Sequence, residues 1–152
     1  MGADTQTAGL ALRFRATGIA ARRANCALGS WLSEAGLPDD RSEDIRIAVA
    51  EAVNNIVEHA YLGLAPGWIR LTGRKTARRV EICISDSGTP LPVGPETEGH
   101  PVDPHALKRT LPEGGFGWIL IRKLTNRVHY RRGAGRNLLT LHFDLSTASQ
   151  GL

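Results

Sequence analysis

Three short groups of residues have types and spacings suited to chemistry. Glu51, Asn55 and His59 recur at i, i+4 and i+8, which on a helix stacks them into one stripe. Mg²⁺ prefers oxygen ligands, keeps several waters and takes most of its remaining contacts from substrate phosphates, so one Asn side-chain oxygen is a fitting protein contribution. A carboxylate one turn away, Glu51, is placed to accept a proton from an incoming hydroxyl. The same spacing also serves a plain Glu–His pair on a helix surface, contributing about a few tenths of a kcal/mol. On these residues alone both readings stay open.

The second group, Asp86-Ser87-Gly88, ends an alternating run in which Val80, Ile82 and Ile84 share one face. A carboxylate at the end of a strand can accept a hydrogen bond from an exocyclic amine such as that of adenine, and Gly88 lets backbone approach a flat ring. An ordinary Asp-x-Gly turn has the same sequence. The third group, Gly114-Gly115-Phe116-Gly117, leads into the apolar run Trp118-Ile119-Leu120-Ile121. Glycines feeding a helix N-terminus make an anion site, because free N–H groups and the helix dipole point outward. No strand immediately precedes them, so the dinucleotide fingerprint is not met, and no GxxxxGK[ST] occurs.

The elements that must position these groups follow from periodicity. Residues 10–16 alternate, with Leu10, Leu12 and Phe14 opposite Arg13 and Arg15, and predict a half-buried strand. A helix follows over about 19–35, stopped by Gly36 and Pro38. Asp40 or Ser42 is expected to cap a second helix reaching about Tyr61, with Glu43 and Asp44 in its first turn and Gly63 and Pro66 beyond its end. In that helix Ile45, Val49, Ala52, Val53, Ile56 and Ala60 cluster on one face, which must pack on a sheet, and the Glu51-Asn55-His59 stripe borders that face. Strands are predicted at 68–72 and 80–85. Residues 86–115 are rich in Gly and Pro and too long for an ordinary connection, as lids and binding loops are. A helix over 118–126 and strands over 127–132 and 137–145 complete the chain, the last two joined through Gly133-Ala134-Gly135 as a hairpin. Helices segregated from a largely antiparallel sheet imply an α+β, two-layer sandwich.

Composition bounds the rest. The 152 residues suit one domain of ordinary size, and 41% apolar content supports a core without disulfides. Cys26 and Cys83 match no zinc-ligand spacing and are expected as plain buried thiols. The first residues carry no charged segment followed by an apolar run, and no apolar stretch is long enough to span a membrane, so neither a leader nor a membrane span is expected. The net charge of +4 permits acidic partners, but the arginines are dispersed among acidic residues, which favours a solvated surface over a nucleic-acid footprint.

Glu51-x-x-x-Asn55, Asp86-x-Gly88 and Gly115-x-Gly117 stand in the order of the N, G1 and G2 boxes of the GHKL ATPase superfamily, which they resemble. Within it, Glu51-Ala-Val-Asn-Asn55-Ile-Val-Glu-His59-Ala-Tyr61 is similar to the anti-sigma-factor serine kinases, and the run from Leu111 to Leu124 is closer still. The resemblance covers roughly residues 10–145. It implies a single domain over 1–152 of the Bergerat type, with a mixed, mainly antiparallel sheet and helices on one face. It further implies ATP and Mg²⁺ as cofactors: Asn55 on Mg²⁺, Asp86 on the adenine amino group and Gly88 lining the base pocket. Gly114, Gly115 and Gly117 would border the phosphates beneath a mobile lid from Pro90 to Glu113, with His59 near the phosphates and Thr140 near Asp86 and adenine. Glu51 would be the catalytic base toward a serine hydroxyl. The implied partners are a STAS-domain anti-sigma antagonist as phosphoryl acceptor, a sigma factor, and a second copy of the chain, pairing on the sheet side, all in the cytoplasm and without direct contact to nucleic acid. Trp118 departs from the family pattern, which usually places a smaller aliphatic residue there. An ATP-binding interaction module without kinase activity, or a partner-switching regulator outside transcription, is the alternative function.

Overall fold

Turn chemistry and alternation divide the described residues into eight elements. The computed structural model describes residues 9–61, 63–91 and 115–145. Its elements are β1 (Leu10–Arg15), α1 (Gly18–Glu34), α2 (Asp39–Asn55), β2 (Trp68–Lys75), β3 (Arg79–Asp86), α3 (Gly115–Leu124), β4 (Arg127–Gly133) and β5 (Arg136–Asp144). A π-helical turn (Ile56–Ala60) continues directly from α2.

Local chemistry accounts for most element ends. The Thr17 hydroxyl accepts a hydrogen bond from the Ala20 N–H and caps α1. At its other end Gly36, at φ +84°, lets Leu37 N–H reach the Leu32 carbonyl and Gly36 N–H reach that of Ser33. That pair of bonds is a Schellman motif. The expected side-chain cap of α2 is absent: Pro38 precedes the helix, and neither Asp40 nor Ser42 caps it. The proline ring holds φ near the helical value, so the helix starts early, and Ser42 N–H already bonds the Pro38 carbonyl. Asp39 and Asp40 then place negative charge in the first turn, where the dipole favours it.

The strands form one sheet in the order β1-β2-β3-β5-β4, and all four pairings are antiparallel. Register puts Phe14, Ile69 and Asp86 in one cross-strand row and Leu71, Ile84, Leu139 and Tyr130 in the next. All of these are buried. The helices lie on that face, contributing Leu28 and Leu32, Ile45 and Ile56, and Trp118 and Ile121 to a continuous core. The result is the two-layer α+β sandwich that the element order implied. Gly73 leaves the room that Trp31 needs, since a Cβ there would sit 3.0 Å from the indole. The other face of the sheet has no helix on it among the described residues. Neither cysteine is a core thiol: Cys26 is exposed, off the Ala24-Leu28-Trp31-Leu32 stripe of α1, and Cys83 is half-buried on the uncovered face, on the strand parity opposite to Ile82 and Ile84. No helix among the described residues is long and apolar enough to cross a membrane.

The β4–β5 connection is tighter than the three-residue turn expected. Gly133 pairs with Arg136 as the end of the ladder, leaving Ala134 and Gly135 at φ +54° and +73°. Two positive φ values are the mark of a type I′ loop, where a non-glycine residue with a Cβ is disfavoured and Asn-Gly is preferred. Ala134→Asn is therefore expected to stabilise the protein by about 0.5–1 kcal/mol, read as a raised midpoint in urea unfolding with unchanged slope. A lowered midpoint would contradict the turn assignment.

Candidate functional site

The apolar face of α2 packs as its spacing requires: Ile45, Val49, Ala52, Val53, Ile56 and Ala60 are all at most 3% exposed. Along its border Glu51 and His59 are half-buried and Asn55 is 5% exposed. The amide nitrogen Nδ2 of Asn55 and the ring nitrogen Nε2 of His59 are both buried without a hydrogen-bond partner among the described residues. Leaving a buried polar group unsatisfied costs about 1–3 kcal/mol. Two such groups one turn apart mark a wall whose complement is not part of the described chain.

The π turn joins this wall to the second motif. π turns are rare and concentrate where a helix is bent to functional use. Here the Ala60 carbonyl accepts hydrogen bonds from Thr89 N–H at 2.7 Å and Thr89 Oγ1 at 3.1 Å. Gly88 lies so close to the same residue that a Cβ would stand 2.5 Å from the Ala60 oxygen. The freedom of Gly88 is thus used against the helix end, where the sequence had pointed to a flat ring. Tyr61 clasps the other side of the loop, accepting from Ser87 N–H at 3.0 Å and donating to the Trp68 carbonyl at 3.4 Å.

Asp86 ends β3 on the covered face, 2% exposed. Its Oδ1 accepts from Gly88 N–H at 2.8 Å and from Asn137 Nδ2 at 3.0 Å. Its Oδ2 is buried with no partner among the described residues. Asn137 stands opposite Asp86 in register and is 1% exposed. Its Nδ2 also donates to the Thr89 carbonyl at 2.8 Å, while its Oδ1 accepts from Tyr130 Oη at 2.5 Å and Arg132 Nη1 at 3.0 Å. Arg132 donates in addition to the Gly88 carbonyl at 2.7 Å. One carboxylate oxygen is therefore fixed by the protein, and the other is an unused acceptor among the described residues.

Asn137 was missed at the level of sequence, and Thr140 was expected in its place. The structure puts Thr140 on the opposite face, paired in register with Cys83 and 3.8 Å from its sulfur. The signal was available: Asn137 shares the parity of Leu139, Leu141 and Phe143, so a polar side chain sits on the buried side of β5. Gly115 and Gly117 fall inside the first turn of α3, so the helix begins three residues before the expected Trp118. Gly114 and the lid segment 92–114 lie outside the described residues. Trp118 is fully buried in the core, and its indole Nε1 is a further orphaned donor among the described residues. A groove of about 470 Å³ between α1 and α2, lined by Ala21, Val49 and Val53 and edged by Arg22, contains none of these orphaned groups.

Two expectations follow. Gly88→Ala drives a methyl into the Ala60 carbonyl and should cost roughly 1–3 kcal/mol; an unchanged unfolding midpoint would refute the close approach. Burial raises the Asp86 carboxyl above its usual range, against the pull of the Gly88 and Asn137 hydrogen bonds and the Arg132 and Arg136 charges. A raised carboxyl binds its proton more tightly when folded, so the contribution of Asp86 to stability is greatest below the unfolded carboxylate range and falls as pH climbs through the raised value. Asp86→Asn does not titrate, so its stability relative to wild type should increase with pH across that window and level off above it. Thermal melts over that range test this, and a difference independent of pH would contradict it.

A wall of orphaned amide and imidazole, a half-fixed buried carboxylate and a glycine-started helix are what known proteins of similar sequence can be compared against. Residues 14–143 match the family model of the histidine kinase-like ATPase domain. The chain is 36% identical over 115 residues to the serine/threonine-protein kinase BtrW of Bordetella bronchiseptica, covering 73% of this chain and 79% of that one. It is 32% identical over 115 residues to the serine-protein kinase RsbW of Bacillus subtilis, covering 71% and 68%. Among solved structures, one of the RsbU and RsbW domains of a Mycobacterium tuberculosis protein superposes with a TM-score of 0.66 at 25% identity, over 93% of this chain and 33% of that longer one. Family model, curated relatives and fold agree, and the chain belongs to the histidine kinase-like ATPase domain family, among its RsbW-type serine-protein kinases.

Proposed function

We propose that this chain transfers the γ-phosphoryl group of ATP, with Mg²⁺, to a serine of a STAS-domain antagonist, and binds a sigma factor in a partner-switching circuit in the cytoplasm. The observation that carries the nucleotide half is the buried, unpartnered Oδ2 of Asp86, an acceptor for the adenine amino group. The orphaned wall of Asn55 and His59 on the neighbouring helix supports the phosphate half. With its amide turned the other way, Asn55 would offer its oxygen to Mg²⁺, which would supply charge neutralisation to the phosphates. In this reading Gly88 would line the base side, and Gly114, Gly115 and Gly117 would border the phosphates at the start of α3.

In this reading the serine oxygen of the partner attacks the γ-phosphorus, the bond to the β,γ-bridging oxygen breaks, and ADP leaves. Glu51 takes the serine proton. Asn137, which donates to Asp86, stands where Thr140 was expected beside Asp86 and adenine. The same reading includes a homodimer.

Calorimetric titration of ATP with Mg²⁺ into wild type, Asn55→Ala and Glu51→Ala tests it, followed by phosphotransfer to a candidate STAS protein. Wild type should bind, Asn55→Ala should lose affinity about tenfold or more, and Glu51→Ala should keep affinity while transfer falls by roughly 10²–10⁴. Binding without transfer by wild type would leave an ATP-dependent interaction module. No binding by folded wild type would overturn the nucleotide reading.

A further inference from the structure

The Asn137 side chain is buried and spends every hydrogen bond its amide can make. Its Nδ2 gives one proton to Asp86 Oδ1 and the other to the Thr89 carbonyl. Its Oδ1 accepts from Tyr130 Oη and from Arg132 Nη1. Neighbours of fixed polarity leave the amide one orientation, since a guanidinium can only donate and a carbonyl can only accept. Tyr130 has no freedom either. Leu91 N–H donates to its Oη at 3.0 Å, so the phenol proton turns to Asn137. Flipping the amide would set its oxygen against the Asp86 carboxylate and its nitrogen against Arg132, with all four bonds lost.

This orientation decides what Asp86 can offer. An ionised carboxylate has about four acceptor positions, shared between its oxygens, and can take a two-pronged donor across both. Here Oδ1 already accepts from Gly88 N–H and from Asn137 Nδ2, which fills it. The remaining acceptor is the buried Oδ2, without a partner among the described residues. The purines differ in this respect. Adenine presents one exocyclic amine beside a ring acceptor, and a single oxygen answers it. Guanine in the same pose turns its O6, a second acceptor, toward the carboxylate. Shifted along its edge, guanine offers two adjacent N–H donors, the ring N1–H and the exocyclic amine, which call for both carboxylate oxygens at once.

We infer that Asn137, locked by Tyr130 and Arg132, makes the site select adenine over guanine by occupying the Asp86 oxygen that guanine would need. This rests on the nucleotide reading above and adds to it the basis of base choice. Asn137 acts on the carboxylate and not on the base, so it is a positioning residue. A guanine donor left unanswered in a buried site lowers affinity by roughly tenfold to a hundredfold. Removing the Asn137 amide frees one acceptor position on Oδ1 and relieves that penalty. Removing the Tyr130 hydroxyl loosens the amide and reaches the same oxygen at second hand.

Calorimetric titration of ATP, GTP and inosine triphosphate, each with Mg²⁺, into wild type, Asn137→Ala and Tyr130→Phe tests this at about pH 8, which favours an ionised carboxyl. Wild type should prefer ATP to GTP. Asn137→Ala should lower that preference by about tenfold or more and Tyr130→Phe by about threefold, in both cases through GTP gaining on ATP. Inosine triphosphate keeps the ring N1–H but lacks the exocyclic amine, so it should gain less than GTP. Equal gains would reveal a pocket merely loosened and would overturn the inference. Leu141→Ala, a core change on the same strand that touches none of these bonds, should leave the ratio of the two affinities as it is; a ratio moved as far as in Asn137→Ala would also count against it. If Asn137→Ala fails to fold, Tyr130→Phe carries the comparison. In the protein without nucleotide, NMR should show the Asn137 side-chain amide protected from exchange, and less so in Tyr130→Phe; an unprotected amide in wild type would remove the lock. No binding of any of the three nucleotides by folded wild type overturns the nucleotide reading and this inference with it. ATP binding with a base preference unaltered in both variants overturns this inference alone.

Discussion

Asn137 donates to Asp86 across the β3–β5 pair, and the arrangement of the candidate site depends on that hydrogen bond. A carboxylate 2% exposed is costly to keep in place, since burial disfavours its charge. The cost is met by fixing one oxygen twice and spending the rest of the Asn137 side chain on Tyr130, Arg132 and the Thr89 carbonyl. Each of these bonds also ties down something else: Tyr130 holds the Leu91 N–H, and Arg132 holds the Gly88 carbonyl. The loop after β3 is thereby fastened to β4 and β5 on one side and to the π turn of α2 on the other. Among the described residues the network leaves one of its carboxylate oxygens, Asp86 Oδ2, without a partner.

The same alternation of strands that buries Asp86 and Asn137 sends the arginines outward. In a two-layer sandwich one face of the sheet must cover the helices, and the other is left to solvent or to partners. Here the two faces have been given unlike chemistry. The covered side is apolar except where the site begins, and the uncovered side carries Arg13, Arg70 and Arg131. Register makes this division strict, because a slip of one residue would exchange the two faces on every strand.

Much of this was legible in the residues. The period of α2 placed its six buried positions and the polar stripe beside them, and the alternation of β3 placed Asp86 at the strand's end. Three features went unread. The start of α2 hid because Asp40 and Ser42 look like caps while Pro38, with φ already set, begins the helix sooner. The π turn hid because Ile56 to Ala60 continues the α period without a break, and only the grip of Thr89 and Gly88 on the Ala60 carbonyl reveals it. Thr140 misled because matching a residue type to a family position ignores parity. Counting from Phe143 by twos reaches Asn137 and passes over Thr140.

The orphaned atoms explain why such a site is compatible with a stable protein. Asn55, His59, Asp86 and Trp118 each keep a buried polar atom without a partner among the described residues, and each costs about 1–3 kcal/mol unless a ligand or water answers it. Few small domains can carry that load for packing reasons alone, when total stability is only about 5–15 kcal/mol. A ligand that answers these groups in the folded state stabilises it by about 2.7 kcal/mol at a hundred times its dissociation constant. The places where this chain breaks the rule that buried polar groups are paired are therefore its best internal evidence for a bound molecule, because in a well-packed fold such violations gather at functional sites.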